Sequence, residues 1–239
     1  MLLSLKQGVC FQTRINTRRY DMKKTLLACL IASTSFSASA DFLLGGDIEV
    51  NAWQQNQTFR GNGATQEDDN LSYTFEASIE HFVPLIPNAK IGRSSVAGDF
   101  YEYTKTDATL YYEFLDNDLI SLDAGIGLTQ LSDGSVYNSV QGRDVSFSGV
   151  LPHLYAAAEV GIPATPLFIF AKGSGISYAD NTMLDTSVGV KFSIPLVLVN
   201  LEFQGGYRTQ TFDLVGYDDL NIDVDAETSG VFVGVNVDF

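Results

Sequence analysis

The stretch Val231-Phe232-Val233-Gly234-Val235-Asn236-Val237-Asp238-Phe239 decides the fold. Val231, Val233, Val235, Val237 and Phe239 fall on one parity, while Phe232, Gly234, Asn236 and Asp238 fall on the other. Successive side chains of a β-strand leave opposite faces, so this segment is a strand with one wholly apolar face. Ile120, Leu122, Ala124, Ile126 and Leu128 repeat the pattern against Ser121, Asp123, Gly125, Gly127 and Thr129. No helical stripe longer than two turns occurs beyond residue 44.

Working outward from these two segments, the alternation predicts ten strands, at roughly 45–55, 71–82, 88–97, 105–114, 119–129, 150–161, 167–176, 184–193, 198–211 and 229–239, with eight as the alternative. Alternation alone would also suit a soluble antiparallel sheet with one wet face. The connections separate the two cases. Val83-Pro84-Leu85-Ile86-Pro87, Leu115-Asp116-Asn117-Asp118, Ile162-Pro163-Ala164-Thr165-Pro166 and Ile194-Pro195-Leu196-Val197 are tight turns. Three of the intervening links, 56–70, 130–149 and 212–228, are long and polar, with shorter ones at 98–104 and 177–183. Short turns at one end and long loops at the other predict an all-β, transmembrane, antiparallel up-and-down barrel, whose strands approach the ~9–11 residues that cross a bilayer at a tilt. The third strand carries one irregularity, because Arg93 shares its parity with Ala89 and Ile91 and would face lipid unless a bulge shifts the register.

Composition agrees with this class. Of 239 residues, 14 are Lys or Arg and 29 are Asp or Glu, a formal charge of -15. A phosphate-binding face needs clustered cations, so nucleic acid is not an expected partner. The charged fraction of 18% lies below the roughly 25% usual in soluble domains. Nothing past the N-terminal region reaches the roughly 18 consecutive apolar residues of a helical span.

From Met22 the chain reads Lys23-Lys24, an apolar run Thr25 to Ser33, and Ala38-Ser39-Ala40 before Asp41. That order is a secretory signal with a small-residue cleavage site. Residues 1–21 are accordingly expected to be an over-long gene start, 22–40 the signal and 41–239 the barrel. Six of the 14 basic residues (Lys6, Arg14, Arg18, Arg19, Lys23, Lys24) and one of the 29 acidic ones (Asp21) precede Asp41, leaving 8 against 28, a net of -20. Both cysteines, Cys10 and Cys29, are also removed, so no disulfide, thiol nucleophile or thiolate metal site is expected.

These features resemble bacterial outer-membrane β-barrels, in which a terminal strand such as Val235, Val237 and Phe239 is similar to the signal read by the barrel-assembly machinery. His81-Phe82-Val83-Pro84-Leu85-Ile86-Pro87-Asn88, Lys172-Gly173-Ser174-Gly175-Ile176-Ser177-Tyr178 and the stretch from Asp218-Asp219-Leu220-Asn221 to Asp225 resemble, more narrowly, a family of small gammaproteobacterial outer-membrane proteins without assigned activity. The resemblance implies location and fold, and it carries no catalytic residues.

Parity assigns Glu113, Asp123, His153, Glu159, Lys172, Lys191, Glu202 and Arg208 to the barrel interior, where Lys90, Glu49, Glu76 and Asp107 join them. In a narrow lumen such charges must pair, which predicts a plug of salt bridges in place of a broad pore. Interior glycines at 125, 127, 173, 189, 206 and 234 leave room for a narrow path, so a cation-preferring small-solute channel stands as the second reading. His153 with a carboxylate and a serine could serve a lipid hydrolase, a third and weaker reading, and no catalytic residue is assigned. Asp219, Asn221, Asp223, Asp225 and Glu227 alternate with Leu220, Ile222, Val224 and Ala226. Their oxygens invite cations, but an EF-hand loop would need Gly where Val224 stands and Glu where Gly230 stands. The spacing predicts a strand extending above the membrane with an acidic face, which bridges through divalent cations to lipopolysaccharide without a dedicated metal site. Trp53, Tyr73, Tyr101, Tyr103, Phe114, Tyr178, Tyr207, Phe212 and Phe239 are expected to form interfacial girdles. The function expected from these residues is a structural or surface-interaction role for a cofactor-free monomer in contact with outer-membrane lipid.

Overall fold

The computed structural model describes residues 44–239 except 62–63, 84, 118, 139–141, 179–180 and 215–223. The expected signal segment lies outside the described residues, as do Asp219, Asn221 and Asp223. Every regular element described is a strand: β1 (Leu44–Gly45), β2 (Asp47–Gly61), β3 (Ala64–His81), β4 (Asn88–Ala97), β5 (Tyr101–Asp116), β6 (Ile120–Asn138), β7 (Arg143–Gly161), β8 (Leu167–Tyr178), β9 (Asn181–Pro195), β10 (Asn200–Leu214) and β11 (Val224–Asp238). From β2 to β11 each strand pairs antiparallel with the next, and β11 returns to β2 to close a ten-strand barrel. The short β1 adds two residue pairs, Leu44↔His81 and Gly45↔Glu80, at the end of β3. Closure leaves no long open edge.

The terminal strand carries the closure. Val235 lies opposite Val50 and Val237 opposite Ile48, and Phe239 exchanges both main-chain hydrogen bonds with Gly46, at 2.9 and 3.0 Å. Around the barrel, Val50, Phe75, Leu110, Ile126, Leu154, Val188, Phe203 and Val233 point outward and are exposed, whereas Asn51, Thr74, Thr109, His153, Ser187, Gln204 and Asn236 point inward and are buried. An apolar outside around a polar inside is stable only where the outside is not water. The fold is a transmembrane barrel.

Away from the four short turns the alternation keeps its period and changes sign. On β2 the outward residues pass from Ile48 and Val50 to Gln54 and Asn56, while the inward ones pass from Glu49 and Asn51 to Trp53 and Phe59. On β11 Val233 and Val231 give way outward to Glu227 and Asp225, while Asn236 gives way inward to Ala226 and Val224. This half is built like a water-soluble barrel, polar outside and apolar within. Its core gathers Phe59, Tyr101, Tyr103, Leu131, Phe147, Met183 and Phe212. Tyr103 meets Phe212 edge-on at 4.8 Å between ring centroids, and Phe59 lies 5.9 Å from Tyr101. Each such side chain taken out of water contributes about 1.5–3 kcal/mol.

The sign change corrects two expectations. The polar stretches 56–70 and 130–149 are mostly strand, as are the described parts of 212–228: only residues 62–63 separate β2 from β3, and β6 and β7 run for 19 residues each. A strand standing in water shows polar residues outward and therefore resembles a loop to a reader who holds the sign constant. For the same reason Trp53, Tyr101, Tyr103 and Phe212 are buried inside the barrel, not set in a girdle, whereas Tyr73, Phe114, Tyr207 and Phe239 do face outward.

Two smaller findings concern individual positions. Arg93 faces outward between Phe75 and Thr106, with no register shift anywhere along β4, at the level where the outer residues of β5 turn from Leu110 and Ala108 to Thr106 and Thr104. The barrel's irregularities fall elsewhere, at Glu102/Thr104, Glu113/Leu115 and Leu131/Gly134. Gly173 shares the outer face with Ile169 and Ala171, so it opens no space in the lumen.

Candidate functional site

Three layers divide the interior. At the end with the short turns lies a polar cavity of about 310 Å³. Above it is a belt of ion pairs, and above that the apolar core.

The belt is built by inward residues of eight strands, β2 to β5 and β7 to β10. Lys172 Nζ sits 2.9 Å from both carboxylate oxygens of Glu49 and 2.9 Å from Glu76 Oε2. Lys191 joins Glu159 at 2.7 Å and Glu202 at 3.1 Å. Lys90 donates to the Tyr155 hydroxyl at 2.8 Å and stands 3.7 Å from Glu76. Highest in the belt is Asp185, which accepts from Arg208 Nε at 2.9 Å, Arg208 Nη2 at 2.7 Å, Lys105 Nζ at 2.9 Å and Gln210 Nε2 at 2.8 Å. Lys105 also contacts Asp107, and the Arg208 guanidinium lies over the Trp53 ring at 5.0 Å. Buried charge is tolerated only when paired and fully hydrogen-bonded, which is why these groups cross-link the lumen.

Lys105 and Asp185 are not among the residues expected from the sequence. Parity could have found both, since Asp185 lies six residues before Lys191 on the same face and Lys105 two before Asp107. Glu113, Asp123 and Glu159 line the lower cavity together with Glu202, Lys172 and Lys191.

His153 is held by two threonines. Thr129 Oγ1 donates to Asp107 Oδ1 at 2.6 Å, so its single proton is used there and it accepts from His153 Nδ1 at 2.9 Å. His153 Nε2 in turn accepts from Thr109 Oγ1 at 2.9 Å. Among the described residues no serine is a partner of the ring, and the Thr109 hydroxyl belongs to a residue only 5% exposed. Gly127 makes room for the ring and for a neighbouring carbonyl: a Cβ there would come within 2.5 Å of Nε2 and 2.4 Å of the Ala108 carbonyl oxygen.

On the projecting half the outer surface is acidic. Glu67, Asp69, Glu102, Asp133, Asp144, Asp213, Asp225 and Glu227 lie there. Of the five expected ion ligands, Asp225 and Glu227 are described and engage Arg60 across the β2–β11 seam, at 3.2 and 4.0 Å. Among the described residues no three Asp, Glu, His or Cys side chains converge to hold a metal ion. Inside this half, burial pushes the Tyr101 phenol up to about 12, and its hydroxyl meets Thr228 Oγ1 at 2.6 Å.

No protein-family model matches the chain, and no curated protein does. Among solved structures it is similar to Neisserial surface protein A (14% identity, 81% of this chain and 97% of that one, TM-score 0.37). It is also similar to the outer-membrane protease OmpT of Escherichia coli (10% identity, 82% and 97%, TM-score 0.46) and to the translocator domain of the autotransporter NalP of Neisseria meningitidis (15% identity, 93% and 99%, TM-score 0.42). All three are bacterial outer-membrane β-barrels of differing roles, and the function must be argued from the residues.

Proposed function

We propose that the chain is a monomeric outer-membrane protein, exported by a cleaved signal and related to the small gammaproteobacterial barrels it resembles, that acts through its projecting half as a surface-interaction protein. The turn end then faces the periplasm and the projection faces outward. The observation that carries this reading is the apolar core of Phe59, Tyr101, Tyr103, Leu131, Phe147 and Phe212, stacked on the Asp185 belt. A pore has no use for a dry core across its lumen. A rigid projecting barrel with an acidic surface does have a use for one, because the core fixes the positions of Glu67, Asp69, Asp225 and Glu227.

The partner expected from that surface is lipopolysaccharide, bridged to the carboxylates by divalent cations and screened by salt. Arg93, at the upper edge of the apolar band, is placed to meet a headgroup phosphate directly. The test is lipopolysaccharide retention by the folded protein with magnesium and with chelator. Magnesium should raise retention, and a Glu67→Gln, Asp69→Asn, Asp225→Asn, Glu227→Gln variant should lose most of that increase. Retention indifferent to magnesium and to these substitutions would overturn the proposal.

The runner-up is a narrow channel, for which the lower cavity is the supporting observation. It requires a path past Asp185 and the aromatic core, and conductance distinguishes the two. No enzymatic role is proposed.

A further inference from the structure

The lower cavity has an electrostatic imbalance that the belt does not correct. Its three lysines are committed, Lys172 to Glu49 and Glu76, Lys191 to Glu159 and Glu202, and Lys90 to Glu76 and Tyr155. Six further carboxylates line it, those of Asp47, Glu80, Glu113, Asp116, Asp123 and Asp238, and among the described residues none of the six is in an ion pair. Asn236 supplies a second and independent sign. Its side chain is 2% exposed and lines the cavity, and its Nδ2 is used by Asp47 Oδ1 at 2.7 Å and Glu202 Oε2 at 2.9 Å. Among the described residues its Oδ1 has no donor. Asp123 Oδ1 on the far wall is likewise without one. A buried acceptor left unmade costs about 1–3 kcal/mol, so its persistence at a cavity wall points to a donor supplied from outside the chain.

The topology limits what that donor can be. Asn236 and Asp238 belong to β11 and Asp123 to β6, five strands apart in a closed ring of ten, hence on opposite walls. A single metal ion cannot reach both walls, and the described residues offer no convergent metal site. The cavity, at about 310 Å³, has the volume of about ten waters and falls at the lower end of the range for small-molecule sites. A short linear molecule with ammonium groups at both ends would bring N–H donors to Asn236 and Asp123 and countercharge to both walls. We propose that this periplasm-facing cavity is a binding site for a small organic polycation of the polyamine class.

The experiment is calorimetric titration of the folded, full barrel with spermidine at low salt, alongside magnesium chloride at matched ionic strength and choline, a cation with no N–H donor. Saturable spermidine binding is expected, without saturable binding of the other two. Asn236→Leu, and separately the pair Glu113→Gln and Asp123→Asn, should weaken it tenfold or more, while Asp225→Asn with Glu227→Gln on the outer surface should leave it within twofold. Should Asn236→Leu fail to give a heat-modifiable barrel, the carboxylate pair, neither of which is in an ion pair, carries the comparison. Binding that magnesium or choline reproduces, or that survives the cavity variants unchanged, would overturn the proposal.

Discussion

Lys105 and Asp185, eighty positions apart in the chain, meet at 2.9 Å across the lumen from β5 to β9. With Arg208 bidentate on the same carboxylate, Asp185 is the point at which three walls of the barrel are tied together. The belt sits where the inward residues change from polar to apolar, so it is both the roof of the lower cavity and the floor of the projecting core.

Removing that hub should be severe. Asp185→Ala leaves Arg208 without its carboxylate and Lys105 with Asp107 alone, and breaking a buried ion pair at one partner costs about 3–5 kcal/mol. Urea midpoints of the folded barrel in vesicles should fall accordingly, whereas Asp225→Asn, in an exposed pair, should stay within about 0.5 kcal/mol of the parent. Equal effects at the two sites would contradict the assignment of Asp185.

The projecting core should be separable from the membrane half. Phe212→Ala opens a cavity beside Tyr103 and is expected to cost about 3–5 kcal/mol locally. Protease added from outside should then cut within the projecting parts of β3, β6 or β7, while the membrane-embedded part keeps its altered mobility on unboiled gels. Uniform resistance to protease would mean that this core contributes little.

Gly127 and His153 should behave as a coupled pair. Gly127→Val drives side-chain atoms against the Ala108 carbonyl oxygen as well as into the space of the imidazole, so folding yield should drop sharply, and His153→Ala in the same chain, which frees only the second contact, should restore a part of it. Additive losses in the double variant would show that the two positions do not share one space.

The Tyr101 phenol offers a titration. Burial favours its neutral form, raising its pKa from near 10 to about 12. The stabilisation is therefore complete below pH 10 and is lost as pH rises through 12. A difference titration of the parent against Tyr101→Phe should show one phenol ionising near pH 12. Ionisation near pH 10 would place that ring in water.

Much of the barrel was legible because a bilayer imposes a simple code. Val231 to Phe239 and Ile120 to Thr129 alternate without a break, and Pro84, Pro163 and Pro195 mark three of the short turns. The ten strands are present, with turn-end boundaries within about two residues of those expected. The projecting half was less legible because the code changes sign between Ala52 and Gln54, where lipid gives way to water and the strand carries on. Period-two alternation survives that change, and only the assumption of a fixed apolar face hides it. The Asp185 hub lies on this boundary, which is why Lys105 falls at the very end of a predicted strand. The Thr109–His153–Thr129 chain could not be read from parity alone, since it depends on the pairing register of β5, β6 and β7, which sets Gly127 opposite both Thr109 and His153.

The central claim is that the lumen is closed, and single-channel recording tests it most directly. The mature protein should be refolded, checked for altered mobility on unboiled gels, and inserted into a planar bilayer. A folded barrel that passes no steady current, and a Phe212→Ala, Asp185→Ala variant that passes one, are expected. A stable, voltage-tolerant, cation-selective current through the unaltered barrel would contradict the closed lumen and move the function to the channel.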